Sequence, residues 1–176
     1  TGPEQPTGAA PQYDEELNSW SAPFVMAAIN TKNIHRSNFL LGHQYGEDFR
    51  YDEMLLTGDG EQGKAAAEYV AKDDSIGKSD LQPGDGPTQE ERENGNYDAI
   101  FAGQNSEGEL MISSVQGDRD PGYGSTSKML AEAAICLLEN PTLASGGLWT
   151  PAAAMGQALI DRLHAHAGLT FQIEKG

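Results

Sequence analysis

Gly117-Asp118-Arg119-Asp120-Pro121-Gly122-Tyr123-Gly124-Ser125-Thr126-Ser127-Lys128 sits between a run that alternates like a strand, Leu110 to Val115, and an apolar-periodic helix, Met129 to Leu138. The close pair Gly122 and Gly124 lets the backbone take positive φ and come near a ligand. Ser125, Thr126 and Ser127 are good N-cap types, so several free N–H groups are expected to point out of the helix start. Such a turn is a seat for an anion or a carboxylate. The same residues equally suit a tight strand-to-helix turn with no ligand.

Downstream, Thr150-Pro151 opens a helix from Pro151 to His166 that Gly168 ends, and Leu169 to Glu174 makes a last strand. Upstream, Tyr97 to Gly103 and Glu109 to Gln116 alternate around Asn105-Ser106-Glu107-Gly108, the pattern of a hairpin. Thr88 and Glu91 form the capping box of a short helix that runs to Glu93. Asp73 to Gly86 is a polar Gly/Pro/Asp-rich loop, expected to be mobile, whether as a lid over a ligand or without one. Lys64 to Ala71 reads as a helix and Phe49 to Leu56 as a strand. Ser21-Ala22-Pro23 reads as a helix start, with Ser21 as cap, and the helix is expected to run from Pro23 to Leu41 and stop at Gly42. Its first turns, Phe24-Val25-Met26-Ala27-Ala28-Ile29, are apolar all round, which predicts a buried helix. Helices and antiparallel-looking strands mix without regular βαβ alternation, so the class is α+β. We expect a mostly antiparallel mixed sheet of about four or more strands, with helices packed on one face and no complete Rossmann domain.

The 176 residues suffice for a packed core, and acidic residues outnumber basic ones 27 to 11, for a formal net charge of −16. That field repels phosphate backbones and anionic lipid, which argues against nucleic-acid and membrane partners. No apolar run approaches a bilayer span and no secretory leader is visible. The one cysteine, Cys136, rules out an internal disulfide framework and fits a reducing, cytoplasmic setting. It falls among Met129, Ala133 and Leu137 on a helical pattern and is expected to be a packed small hydrophobe. Residues 1–14, rich in Pro, Gly and Gln, read as a linker from a further N-terminal domain, with residues 15–176 as one domain.

Several motif matches fail on their chemistry. Gly58-Asp-Gly-Glu-Gln-Gly63-Lys64 has P-loop spacing, but Ala65 stands where the magnesium-binding hydroxyl belongs, and Asp59 and Glu61 would put charge into the phosphate cradle. Gly122-Tyr-Gly124-Ser-Thr-Ser127 matches two glycines of a dinucleotide fingerprint, with Ser127 in place of the third. Asp118 to Gly122 looks like a calcium loop until its twelfth position, which is Met129 rather than glutamate. His164 and His166 close a helix, where solvent exposure is expected. No metal-ligand cluster is expected. On the first helix, Thr31, His35 and Asn38 share one stripe and Lys32 and Arg36 another. Polar stripes on an apolar helix need partners, which a ligand, an internal network or a subunit contact would supply equally.

Trp20-Ser-Ala-Pro-Phe-Val-Met-Ala-Ala-Ile-Asn30-Thr-Lys-Asn-Ile-His35-Arg36-Ser37-Asn38, Phe49-Arg-Tyr-Asp-Glu53, the stretch Gly117 to Met129, and Gly146-Gly-Leu-Trp-Thr150-Pro151 together resemble the C-terminal half of saccharopine dehydrogenase-like oxidoreductases, the group that includes bacterial trans-acting enoyl reductases. The resemblance runs from about Gln12 to the final strand. It implies a parent enzyme whose N-terminal Rossmann domain holds NAD(P), with this chain as the catalytic or substrate-side domain and as the dimer-forming part, so that a homodimer is expected. No cofactor is then expected to bind tightly here, and the isolated chain is expected to be inactive.

What the resemblance implies for residues is a small-molecule substrate site. Arg119 would act as an anion clamp, and Gly122, Gly124, Ser125, Thr126 and Ser127 would bind substrate or cofactor phosphate, with Asn38 and Arg36 also at the substrate. Tyr123 or His35 would give a proton to the reduced centre, while Asp118 and Asp120 orient Arg119. The competing expectation is a non-catalytic dimerisation or interaction module, with the Thr31, His35 and Asn38 stripe at a subunit interface.

Overall fold

The computed structural model describes residues 2–73, 85–140 and 145–175. Most of the expected Asp73 to Gly86 loop lies outside the described residues. The chain is α+β and divides into two compact units, Thr1–Asp80 and Leu81–Gly176. Among the described residues six strands, all paired antiparallel, fall into two sheets of three. The span expected as one domain therefore contributes to both units.

In the first unit, β1 (Gln12–Asp14), β2 (Ser19–Pro23) and β3 (Met54–Gly58) form one sheet with β2 central. Ser21 is not a helix cap. It is buried in β2, pairs with Gln12 and Leu56, and its Oγ donates to the Gln12 carbonyl at 3.2 Å. Serine and proline look like a helix start locally, but pairing on both edges of β2 satisfies the same backbone groups better. The helix α1 (Ala27–Leu40) begins later, at N-cap Met26, without a side-chain cap. Nor is its start buried: Val25, Met26 and Ile29 are 50, 41 and 56% exposed.

The strand expected from Phe49 starts only at Met54. Helix α2 (Gly60–Lys72) starts directly behind β3, so Gly58 to Lys64 is a turn and a first helical turn with no phosphate loop. The segment read as a linker is tied down. The Gln5 side-chain amide donates to the Phe49 carbonyl at 3.1 Å and its oxygen accepts from the Tyr51 N–H at 3.1 Å, standing in for a strand partner.

In the second unit, α3 (Gln89–Asn94) carries the expected capping box, with Thr88 and Glu91 bonding each other's backbone. The hairpin is also as read: β4 (Tyr97–Gln104) and β5 (Leu110–Gly117) pair in unbroken register around a turn at Asn105 to Glu109. Strand β6 (Leu169–Lys175) completes the sheet on the other side of β5. Between them come α4 (Gly124–Glu139) and α5 (Pro151–His166). Val115 and Phe171, register partners on one sheet face, pack on Met129 of α4 and Leu163 of α5. Cys136 is fully buried against Ala154 and Met155. Arg162 of α5 reaches both Glu132 and Glu139 of α4, and Gly168, at φ 74°, turns the chain from α5 into β6. Among the described residues, no helix is long and apolar enough to cross a membrane.

Candidate functional site

The first unit holds a cavity of about 560 Å³, walled by the N-terminal segment, by one face of α1 and by Tyr51 to Glu53. Phe24, Ala27 and Ala28 make its apolar side, and Thr31, Lys32 and His35 continue it along the helix. The stripe predicted from helical spacing thus faces a cavity, but only in part. Thr31 turns its hydroxyl back to the Ala27 carbonyl at 2.6 Å. Asn38 is 4% exposed and does not line the cavity. It accepts from the Tyr45 N–H and donates to the Gly46 carbonyl, both at 2.9 Å, and so fastens the turn after α1. Arg36 is exposed, with its guanidinium 5.5 Å from the centre of the Phe39 ring.

His35 is the residue with unfinished chemistry. Its Nε2 is buried and has no hydrogen-bond partner, alone in this among the described side chains. The ring meets the edge of Phe49 at 5.6 Å, and Phe49 stacks on Tyr51 at 6.0 Å. A buried imidazole nitrogen left unpaired costs free energy that a ligand's polar atom would recover once neighbours yield to admit it.

The opposite wall is acidic. Glu53 is fixed at both oxygens, by the Tyr51 hydroxyl at 3.0 Å and by Asn30 Nδ2 at 2.8 Å. Burial, followed by the hydrogen bond to Glu53 and the charges of Glu53 and Asp52, pushes the Tyr51 phenol above its ordinary range. Tyr51 therefore stays a hydrogen-bond donor and is a poor proton source. Burial, and then the nearby charge of Asp14, also raises the Asp52 carboxyl.

The glycine-rich stretch lies in the second unit, and its helix starts earlier than its hydroxyl residues suggest. Gly124 is already helical and Tyr123 stands at the N-cap. Asp120 does the capping: its carboxylate accepts from the N–H of Gly122 at 3.0 Å, Tyr123 at 2.9 Å and Gly124 at 2.5 Å. These backbone bonds hold the Asp120 carboxyl below its usual range. The chain's own carboxylate fills the seat that the sequence left open.

The hydroxyls are also engaged. Ser125 is fully buried and shares a 2.9 Å hydrogen bond with the Tyr97 hydroxyl. Thr126 donates to the Pro121 carbonyl at 2.6 Å and Ser127 to the Gly124 carbonyl at 3.1 Å. Tyr123 is 56% exposed. Arg119 reaches Glu93 at 3.9 Å, while Asp118 pairs with Lys128 at 3.3 Å, so neither aspartate orients Arg119.

Beside this turn a smaller cavity of about 250 Å³ is lined by Arg92, Glu93, Arg119, Gly124, Ser127 and Lys128, with Gln89. Sequence reasoning missed Arg92 and Lys128 as members of this group. Lys128 closes the quoted stretch, but Arg92 comes from the capping-box helix, and no spacing rule joins the two. His35, Arg36 and Asn38 belong to the first unit and Arg119 to Ser127 to the second. Among the described residues no group of His, Cys, Asp and Glu could hold a metal ion.

Over 97% of its length the chain is 34% identical to a Mycobacterium tuberculosis protein named as a trans-acting enoyl reductase. It is 32% identical to a trans-acting enoyl reductase of Mycobacterium ulcerans over 82% of the chain, and 30% identical to one of Mycobacterium bovis over 92%. The chain spans less than half the length of these relatives: 45, 39 and 45% respectively. No family model and no solved structure matches it.

Proposed function

We propose that this chain is the substrate-side part of an oxidoreductase akin to the trans-acting enoyl reductases, in which a separate domain of saccharopine dehydrogenase-like type holds NAD(P). The observation that carries this reading is the similarity along 97% of the chain to proteins of that name. The chain's own glycine-rich turn does not fit a dinucleotide. Its N–H groups already bind Asp120, which leaves none of the three to cradle a pyrophosphate at the backbone. The reading therefore assigns this chain substrate binding, exclusion of water and control of a proton.

In this reading the first-unit cavity takes the apolar part of the substrate against Phe24, Ala27 and Ala28. His35, a residue of the cavity wall, supplies the proton that completes reduction, because its buried Nε2 has no partner within the chain's described residues. Tyr123, 56% exposed in the second unit, is the second candidate donor. The test is turnover of a 2-enoyl thioester with reduced nicotinamide cofactor by the full-length protein. His35→Gln is expected to lower kcat about a hundredfold with little change in KM, the usual weight of a general acid. Unchanged kcat for both His35→Gln and Tyr123→Phe would sink the assignment.

An association module is the second reading, and one feature favours it. Phe101 and Ile173, which flank Ser113 in the sheet register, are 44 and 73% exposed, and Met111 is 55% exposed. The Thr31, His35 and Asn38 stripe serves this reading less well, since Thr31 and Asn38 find their partners internally. Sedimentation of wild type against Ile173→Asp decides it: a dimer lost in the variant supports association through the sheet.

A further inference from the structure

The second unit's sequence contains the cationic residues Arg92, Arg119, Lys128, Arg162 and Lys175, against a strongly acidic background. Arg162 is spent on Glu132 and Glu139. Three of the other four, Arg92, Arg119 and Lys128, line the same small cavity. In a chain of net charge −16, three cations converge on this cavity.

The fold builds this convergence from two elements. The Asp120 N–H donates to the Arg92 carbonyl at 3.2 Å, joining the end of α3 to the turn before α4. A Cβ on Gly124 would lie 2.9 Å from that same carbonyl and 3.0 Å from the Arg119 Cβ, so only glycine permits the approach. The Arg92 side chain is aimed by its bond to the Pro87 carbonyl at 2.5 Å.

Arg119 and Lys128 each face one partly exposed carboxylate. Arg119 stands 3.9 Å from Glu93 and Lys128 3.3 Å from Asp118. The side chains of Arg119 and Lys128 are 34 and 35% exposed, whereas their acidic partners are 50 and 53% exposed. The acidic partners are the more exposed side chains, and such solvent-exposed pairs contribute little to stability. Glu93 lines the cavity, Asp118 pairs with Lys128 and Asp120 feels the charge of Arg92, so the ligand must carry enough charge to compete with these carboxylates.

The geometry points to an oxyanion site: Arg92, Arg119 and Lys128 bind the phosphoryl group of an organic phosphate. Two guanidinium forks and an ammonium suit a group with several acceptor oxygens. The site is built from side chains and leaves the backbone cap of Asp120 intact. It stands on charge and geometry within one unit and does not depend on the reductase reading. A phosphate on the substrate and a phosphate on the nucleotide cofactor share this chemistry.

The test titrates this chain with inorganic pyrophosphate, with adenosine 2′,5′-diphosphate and with uncharged adenosine, following amide shifts by NMR. Saturable shifts at residues 92, 119, 124, 127 and 128 are expected with both anions and none with adenosine. The affinity should fall about tenfold between about 20 and about 200 mM salt, as screening demands. Arg119→Gln with Lys128→Gln should weaken binding about tenfold or more, and Lys175→Gln should leave it unchanged. Tighter binding of the diphosphonucleoside than of pyrophosphate assigns the site to a nucleotide. Equal binding assigns it to the phosphoryl group alone, on any carrier. Absent shifts, or equal losses in the Lys175 and double variants, overturn the site. Both results are independent of turnover by the full-length protein, so the reductase reading stands or falls separately.

Discussion

The Asp120 carboxylate and the Gly124 N–H are joined by a 2.5 Å hydrogen bond, the shortest of three that this side chain accepts at the start of α4. An aspartate four residues before a helical N–H satisfies the donors that a bound anion would otherwise need. The helix start is a closed structural feature, and its stability depends on a carboxylate remaining ionised.

Acid should therefore open this turn. The folded-state pKa of Asp120 is depressed by its backbone bonds. Its contribution is present above the unfolded carboxylate value and is lost as pH falls through the folded one, which places the change below about pH 4. Amide exchange at Gly122, Tyr123 and Gly124 is the readout. Asp120→Ala at neutral pH should accelerate exchange at these amides about tenfold or more while leaving the β4–β5 hairpin protected. Equal acceleration across the hairpin would mean that the cap supports the whole unit.

Most of the second unit was legible because its signals are local. The Thr88/Glu91 box, the alternation around Asn105 and the Pro151 to Gly168 helix each depend on residues a few positions apart. The first unit was harder, since Ser21 and Pro23 behave as a helix start until strands distant in sequence claim them. The candidate sites were half legible. Helical spacing put His35 and Thr31 on one stripe, but nothing in the sequence says that Asn38 closes a turn, that Asp120 fills the anion seat, or that Arg92 meets Arg119.

Asp52 should be a destabilising charge. Burial and then Asp14 raise its carboxyl above the unfolded value, so its favourable contribution exists at low pH and is lost as pH rises through the folded pKa. Asp52→Asn is expected to stabilise the first unit at pH 7 by about 0.5 kcal/mol, given partial screening by solvent. The gain should shrink as pH falls from 7 through the raised folded-state pKa, where the wild-type side chain takes up its own proton. Amide exchange of β3 across this pH range checks this, and a pH-independent gain would contradict the electrostatic cause.

Tyr97 and Ser125 should couple. The two hydroxyls lie 2.9 Å apart and Ser125 is fully buried. Tyr97→Phe leaves one buried hydroxyl without a partner and should cost about 1–2 kcal/mol. Ser125→Ala should cost a similar amount, and the double variant less than the sum, because the unsatisfied group is then gone. Strict additivity in a denaturation cycle would show that the hydroxyls do not bond.

Gly63 should be irreplaceable for a reason unlike that of most helical glycines. A Cβ built there would lie 2.0 Å from the Gly58 carbonyl oxygen and 2.4 Å from its carbon, so β3 and α2 touch backbone to backbone. Thr57 reinforces the contact by donating to the Gly63 carbonyl at 2.9 Å. Gly63→Ala gains about 1 kcal/mol of helix propensity but forces the two backbones apart. Overpacking of this kind should outweigh the gain and leave a net loss of about 2 kcal/mol. Exposed Ala66, in the same helix, provides the contrast: Ala66→Gly should cost about 1 kcal/mol through propensity alone. Amide exchange in β3 and α2 separates the two cases, because the Gly63 variant should loosen both elements and the Ala66 variant only the helix. If Gly63→Ala is as stable as wild type, the close approach of α2 to Gly58 is refuted.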